Sequence, residues 1–262
     1  MAAAYSQLLI ERQGPVARVT LNRPDVRNAM DETTFDEIIR LFKELGEDEG
    51  VRIAVIAGAG RDFCAGGDIN WMKRAAGYNR AKNKKDAARL ANMCRAIDEA
   101  PFAVIGRVHG NCFGGGLGIV AACDVVIAES NSRFSFSEGR LGLIPSVVST
   151  FVAPKVNLGQ MRRLYITAEI FSAAQAKEAG LVHTVAPLEN LESAVETAIA
   201  DILKTAPQTA RLVKDYLRRF ADLKRAQRFN YCIDTLARVR ATPQAKEGFA
   251  AFLDKRKPNW QR

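Results

Sequence analysis

The sequence predicts a mixed α/β fold with a helical tail, and three observations carry that prediction. Short apolar, β-branched runs recur at residues 8–11, 16–21, 51–57, 102–108, 125–128 and 133–136, which reads as strands. Helical spacing of apolar residues falls between them, at 32–45 and 86–99. Beyond about residue 190 the strand-like runs stop, and 191–205, 207–221, 224–240 and 243–256 read as helices punctuated by Pro207 and Pro243. The expected organisation is a core over 1–190 and a helical region over 191–262. Pattern alone leaves α/β and α+β both open for the core.

The first two strands flank a Gln13-Gly14-Pro15 turn. Asp31 is a good N-cap for a helix whose apolar positions are 35, 38, 39, 41, 42 and 45. Residues 51–57 form a continuous apolar run, as a strand buried on both faces requires. Ala87, Leu90, Met93, Cys94 and Ile97 share one helix face, and Pro101 ends that helix. A further strand follows at 102–108, then a compact apolar helix at 115–122 and strands at 125–128 and 133–136. The order strand, strand, helix recurs without a strict sequence repeat.

Composition bounds the function classes. The chain has 262 residues, 48% of them hydrophobic, enough for one large core. No apolar run approaches the ~20 residues of a membrane span. The first ten residues lack the basic start and apolar stretch of a secretory signal, so a cytoplasmic protein is expected. Five scattered cysteines without a C-x-x-C pair suit reduced thiols. Only two histidines, His109 and His183, speak against a metal site. The net charge is +9. Eight Lys and Arg against Asp86 alone lie within 73–95. Such a surface favours an anionic partner. Nucleic acid is one candidate, but no nucleic-acid module is recognisable, and most of these charges read as a solvated helix face.

Two glycine-rich loops and one carboxylate carry the chemistry. The loops are Phe63-Cys64-Ala65-Gly66-Gly67-Asp68 and Phe113-Gly114-Gly115-Gly116-Leu117-Gly118; the carboxylate is Glu138. Each loop follows an apolar strand and leads into a helix. Glycine allows close backbone approach and leaves N–H groups free to meet an anion. Two such donors aimed at one oxygen form an oxyanion hole, and a neighbouring acid/base group allows proton transfer beside a polarised carbonyl. Asp68 reads as a helix N-cap. Trp71 and Phe113 could line a pocket, though packing is the commoner role of such rings. His109 reads as structural, and nothing pairs Cys112 with a base.

These motifs resemble those of the crotonase (enoyl-CoA hydratase/isomerase) superfamily. Leu21-Asn22-Arg23-Pro24 with Asn28-Ala29 is similar to its N-terminal signature, and Glu247-Gly248-Phe249 with residues 251–256 to its C-terminal one. The resemblance implies a spiral of ββα units and a C-terminal helical region that builds a homotrimer or hexamer. It implies oxyanion donors at Gly67 and Gly115 and an acid/base role for Glu138. It implies an acyl-CoA substrate, with no other cofactor and no metal. Coenzyme A would meet Arg27, the backbone at Ala65, Gly67 and Asp68, and Phe252 and Lys255 from the tail. Asp25 stands where many relatives carry lysine.

Family hydratases carry a first glutamate two positions after the triple glycine; here that position is Gly118. A lone Glu138 suits double-bond isomerisation. The stretches 68–74, 114–118 and 141–149 nevertheless resemble the bacterial methylglutaconyl-CoA hydratase subgroup, which also has glycine there. On that reading the second proton route is unassigned; Arg140 and Ser146 are polar and close to Glu138 in sequence. The implied activity is therefore hydration of a 2,3-enoyl-CoA, with isomerase or acyl-CoA hydrolase as alternatives and RNA binding by the basic face as a non-enzyme reading.

Overall fold

A computed structural model describes residues 5–261, and the mixed α/β class expected from the sequence is the one observed. The chain runs β1 (Leu8–Gln13), β2 (Val16–Leu21), α1 (Glu32–Glu47), β3 (Ile53–Gly58), α2 (Ile69–Ala75), α3 (Arg80–Asp98), β4 (Ala103–Val108), β5 (Asn111–Phe113) and α4 (Gly115–Ala122). It continues through β6 (Val125–Glu129), β7 (Arg133–Ser135), α5 (Ser149–Val152), α6 (Leu158–Thr167), β8 (Phe171–Ser172), α7 (Ala173–Glu178), β9 (Thr184–Ala186) and α8 (Leu188–Lys204). The last helices are α9 (Thr209–Asp222), α10 (Arg225–Arg240) and α11 (Pro243–Leu253).

The main sheet has the order β1-β2-β3-β4-β6-β9. Only β1 with β2 is antiparallel; the other neighbours are parallel. Parallel neighbours need long crossovers, and these are supplied by the segments holding α1, α2 with α3, and β5 with α4. A smaller sheet, β5-β7-β8, stands beside it. Ile53 pairs with Ala103 and Ile56 with Gly106. Thus β3 and β4 run in the same direction and end together, which delivers the loops that follow them to one end of the sheet.

The helices form for local reasons. Asp31 accepts a bond from the Thr34 N–H while the Thr34 hydroxyl serves the Asp31 N–H, a reciprocal cap. Phe35, Ile38, Leu41 and Phe42 of α1 are buried, and α1 packs on α3. The core around them includes Met30, Ile56, Phe63, Met93 and Ile97, all almost fully buried. Burial of each such side chain contributes about 1.5–3 kcal/mol.

Several boundaries differ from expectation. β1 runs on to Gln13 because it is an edge strand whose polar residues pair with β2 while facing solvent. α3 starts at Arg80, capped by the Asn79 side chain; its first turns are polar and exposed, so apolar spacing could not mark them. α11 ends at Leu253 rather than 256. The sequence offered no elements for 137–190, where short helices and two short strands occur.

Contacts divide the chain into a first unit ending at Ala198 and a second beginning at Ile199. The second unit holds the end of α8 with α9, α10 and α11. Neither α9 nor α10 has a buried residue, and Val213, Leu217, Phe229, Ile233 and Leu236 are all exposed.

Candidate active site

The two glycine loops are stitched together by backbone hydrogen bonds. Cys64 N–H donates to the Asn111 carbonyl at 3.1 Å, and Phe113 N–H donates to the Cys64 carbonyl at 2.9 Å. On the other side of the first loop, Met30 donates to the Gly66 carbonyl and accepts from Asp68 N–H, both at 2.8 Å. Met30 and Gly67 are thereby bridged in parallel fashion, which turns the N–H of Gly67 itself away from Met30. Among the described residues that N–H has no acceptor, nor has the N–H of Gly115 at the first position of α4. An unpartnered N–H at Gly115 is expected, because the first turn of a helix has no intrahelical acceptors.

Glycine is required at two places. Gly66 has φ +101, and a Cβ there would stand 3.2 Å from the Phe113 carbonyl oxygen. Gly114 has φ 49 and ψ −123, a region essentially closed to other residues. The two loops can therefore touch backbone to backbone.

Glu138 is held by what precedes and follows it. Phe136 is fully buried, its ring 4.8 Å from Tyr165 and 6.1 Å from Phe171 between centroids. The Glu138 carbonyl accepts from Leu143 N–H at 3.0 Å, closing the short 3-10 turn Ser137–Leu141. The side chain is half-buried, and its Oε2 is shielded from solvent without a hydrogen-bond partner. A Cβ on Gly114 would lie 3.8 Å from Oε1, so the carboxylate stands against the second loop. Burial pushes the Glu138 carboxyl above the ordinary glutamate range, and a backbone hydrogen bond opposes this only in part.

A cavity of about 690 Å³ joins these parts. Ala65, Gly67, Gly115 and Glu138 all line it, as do Ser137, Ser146 and Trp71. Among the described residues, Glu138 is the only ionisable one in the lining. Two free N–H groups, a carboxyl and a largely apolar chamber thus have a common place, an arrangement able to stabilise an anionic oxygen and to transfer a proton beside it. Met30, Phe35 and Leu90 also line the cavity. Helical spacing marked Phe35 and Leu90 as core, but no local signal told which core residues would face a ligand.

Other expected residues stand elsewhere. Gly118 is buried and outside the lining; a Cβ on it would meet Val148 Cγ1 at 2.8 Å and Cys94 Sγ at 2.9 Å. The space at the first glutamate position is thus filled by protein. Asp68 caps α2, accepting from Asn70 and Trp71 N–H at 2.8 and 3.1 Å, and pairs with Arg23 at 3.0 Å. Burial alone would raise its carboxyl, but those three bonds together hold it below the usual range. Its side chain is spent on structure and does not line the cavity.

Arg27 adopts a left-handed backbone, φ 54, and its carbonyl accepts from Ala65 N–H at 2.9 Å. Its exposed guanidinium lies 3.9 Å from Asp62, so the structure brings Arg27 and Ala65 together at the base of the first loop. Asp25 is exposed beside it. Phe252 and Lys255 belong to the second unit, where both are exposed. Phe113 and Arg140 are outside the lining. His109 bridges the Gly60 carbonyl and the Arg107 side chain at 2.8 and 2.7 Å, a structural arrangement. Cys112 is fully buried, and burial pushes its thiol well above the ordinary range. Among the described residues no group of three or more His, Cys, Asp and Glu is placed to hold a metal, and no helix is long and apolar enough to cross a membrane.

Known proteins share this architecture. A crotonyl-CoA hydratase of Syntrophomonas wolfei is 31% identical over 261 residues, covering 98% of each chain. A short-chain-enoyl-CoA hydratase of Clostridium acetobutylicum is 30% identical over 256 residues, covering 96% of each. The solved structure of an enoyl-CoA hydratase from Shewanella pealeana matches with a TM-score of 0.94 at 33% identity, over 98% of this chain and 96% of that one. The family model described as enoyl-CoA hydratase/isomerase spans residues 11–262. With its stitched loops and crotonase-type fold, this chain belongs to the enoyl-CoA hydratase/isomerase family of enzymes.

Proposed function

We propose that the enzyme adds water across the 2,3-double bond of an enoyl-CoA thioester. The observation that carries this reading is the half-buried Glu138 carboxylate, with an unpartnered oxygen, in the same cavity as the free N–H groups of Gly67 and Gly115. In this mechanism the two N–H groups bind the thioester oxygen, and they bind it more strongly as it gains enolate charge. Glu138 accepts a proton from water as the oxygen attacks C3. The enolate then takes a proton at C2, and Glu138, the one ionisable group in the lining among the described residues, returns it. One O–H bond of water and the C2–C3 π bond are broken, and one C3–O and one C2–H bond are formed. Burial suits the task, because a carboxylate with a raised pKa is a stronger base.

Coenzyme A is the only group required besides the protein, as part of the thioester. In our reading its phosphates meet Arg27, and its adenine meets the backbone from Ala65 to Asp68. Phe252 and Lys255 are offered to the coenzyme by a neighbouring subunit. The exposed apolar residues of α9 and α10 support a homotrimer or hexamer, which light scattering on the purified protein would measure. We place the enzyme in the cytoplasm.

The solitary carboxylate favours a second reading, isomerisation by a single proton shuttle. Incubation with crotonyl-CoA separates the two. Loss of the conjugated thioester absorbance with a mass gain of one water establishes hydration. No gain of water, together with conversion of a 3-enoyl-CoA to its 2-enoyl isomer, establishes isomerisation. Release of free coenzyme A would indicate a hydrolase instead.

A further inference from the structure

We propose that Asp86 is a positioning residue for the Gly67 N–H and acts on it through the indole of Trp71. The inference rests on the oxyanion reading of Gly67 above and adds to it a residue outside the cavity. The chain of contacts begins at the first glycine loop. A Cβ on Gly67 would stand 2.7 Å from Cζ3 and 3.1 Å from Cε3 of Trp71, so the six-membered ring of the indole lies against the Gly67 backbone. Gly67 does not have a left-handed backbone; glycine is needed there because the ring fills the place of a side chain. Whatever holds that ring also fixes Gly67 and the direction of its N–H.

The ring is held from α1 and from α3. Phe35 of α1 meets it edge-on, with centroids 5.9 Å apart and planes at 89°. From α3, Asp86 Oδ1 accepts from the indole N–H at 3.2 Å. An indole N–H only donates, so this carboxylate oxygen fixes the turn of the ring about its long axis. The rest of α2 offers little purchase. None of its residues is buried, and its Arg74–Glu32 ion pair at 2.7 Å is partly exposed, a kind that contributes little. Asn83 and Leu90, three residues before and four after Asp86 on the same face of α3, line the cavity, whereas Asp86 does not. Eight Lys and Arg lie within 73–95, yet among the described residues Asp86 has no ion pair. Its carboxylate is given to the indole.

Acetoacetyl-CoA tests this without turnover. Its C2 proton is acidic, its enolate absorbs in the near ultraviolet, and an oxyanion hole raises the enolate-to-keto ratio of the bound thioester at fixed pH. Asp86→Leu and Asp86→Asn both remove the charge, but only asparagine keeps an oxygen that accepts from the indole. In the full-length enzyme Asp86→Leu should lower that ratio by up to about 10²-fold, the loss that a misplacement of ~1 Å brings. Binding of saturated butyryl-CoA, which carries no enolate charge, should change less. Asp86→Asn should stay close to the parent. Trp71→Phe, which keeps a ring without the N–H, should reproduce the leucine loss, and Asp86→Leu should add nothing on that background. A parent-like ratio in Asp86→Leu overturns the inference. So does an asparagine variant as impaired as leucine, which would make charge the cause, or a leucine effect undiminished in Trp71→Phe. If the parent enzyme forms no enolate, the oxyanion reading of Gly67 falls and this inference with it; a parent enolate with an unaffected leucine variant sinks this inference alone.

Discussion

Replacing Gly118 by alanine would place one methyl group in α4 where the structure has no room for it. The new Cβ would meet Val148 Cγ1 at 2.8 Å and Cys94 Sγ at 2.9 Å, well inside the 3.4–4 Å of ordinary contact. Neither neighbour yields cheaply. Val148 is 1% exposed and β-branched, with one preferred rotamer, and Cys94 is fully buried on α3. Overpacking of this kind costs about 1–3 kcal/mol. Alanine returns about 0.5–1 kcal/mol, since glycine disfavours a helix interior. The net expectation is a loss of up to about 2.5 kcal/mol and centred near ~1 kcal/mol, where Tm falls by roughly 2–4 °C. Thermal and urea unfolding of Gly118→Ala, Val148→Ala and the double variant would measure it. Val148→Ala opens the space, so the two changes should be coupled and the double variant should be more stable than additivity allows. A Gly118→Ala protein as stable as its parent would refute the packing argument. By the same reasoning Gly118→Glu should fold poorly rather than gain a second acid/base group.

Three further variants, Glu138→Gln, Gly114→Ala and Asp68→Ala, have definite expected outcomes. Glu138→Gln should lower turnover of crotonyl-CoA by about 10²–10⁴-fold while butyryl-CoA binding is retained; unchanged turnover would remove Glu138 from the mechanism. Because burial raises the Glu138 pKa in the folded state, the acid limb of kcat/KM should lie above the ordinary glutamate range. For the same reason its stability contribution is present at low pH and lost as pH rises through the folded pKa. Glu138→Gln should therefore unfold at higher temperature than the parent at neutral pH, with the difference vanishing in acid. Gly114→Ala must force φ 49 and ψ −123 on a residue with a Cβ, at about 1–3 kcal/mol, and should lose turnover with it, as paired unfolding and rate measurements would show. Asp68→Ala should cost about 1 kcal/mol through the lost cap of α2, and more through Arg23 left unpaired. As the Asp68 carboxyl is held low, that contribution should disappear as pH falls through its folded pKa, which urea titrations across the acid range would test.

Some of this protein was determined by local sequence. Periodicity located α1, because burial on one face writes a repeat of 3.6 into the chain, and continuous apolar runs located α4 and the central strands β3 and β4, which are buried on all sides. Asp31 and Asp68 were recognisable as caps, since an Asp side chain satisfies N–H groups only two or three residues away. The two glycine loops and Glu138 were legible as motifs, because close backbone approach demands glycine whatever the surroundings. The polar start of α3 and the short elements of 137–190 were not, for their stability comes from tertiary packing rather than from their own pattern.

Tertiary structure decided the rest. Only the parallel pairing of β3 with β4 brings loops about fifty residues apart to one end of the sheet. Only the packing of Phe136 against Tyr165 and Phe171 sets Glu138 beside Gly114 with an unpartnered oxygen. The role of Gly118 depended on Val148 and Cys94, residues distant in sequence. Sequence states what each segment can do with its near neighbours; which distant groups share a cavity, and so their charge state and chemistry, is settled by the long-range burial that folds the chain.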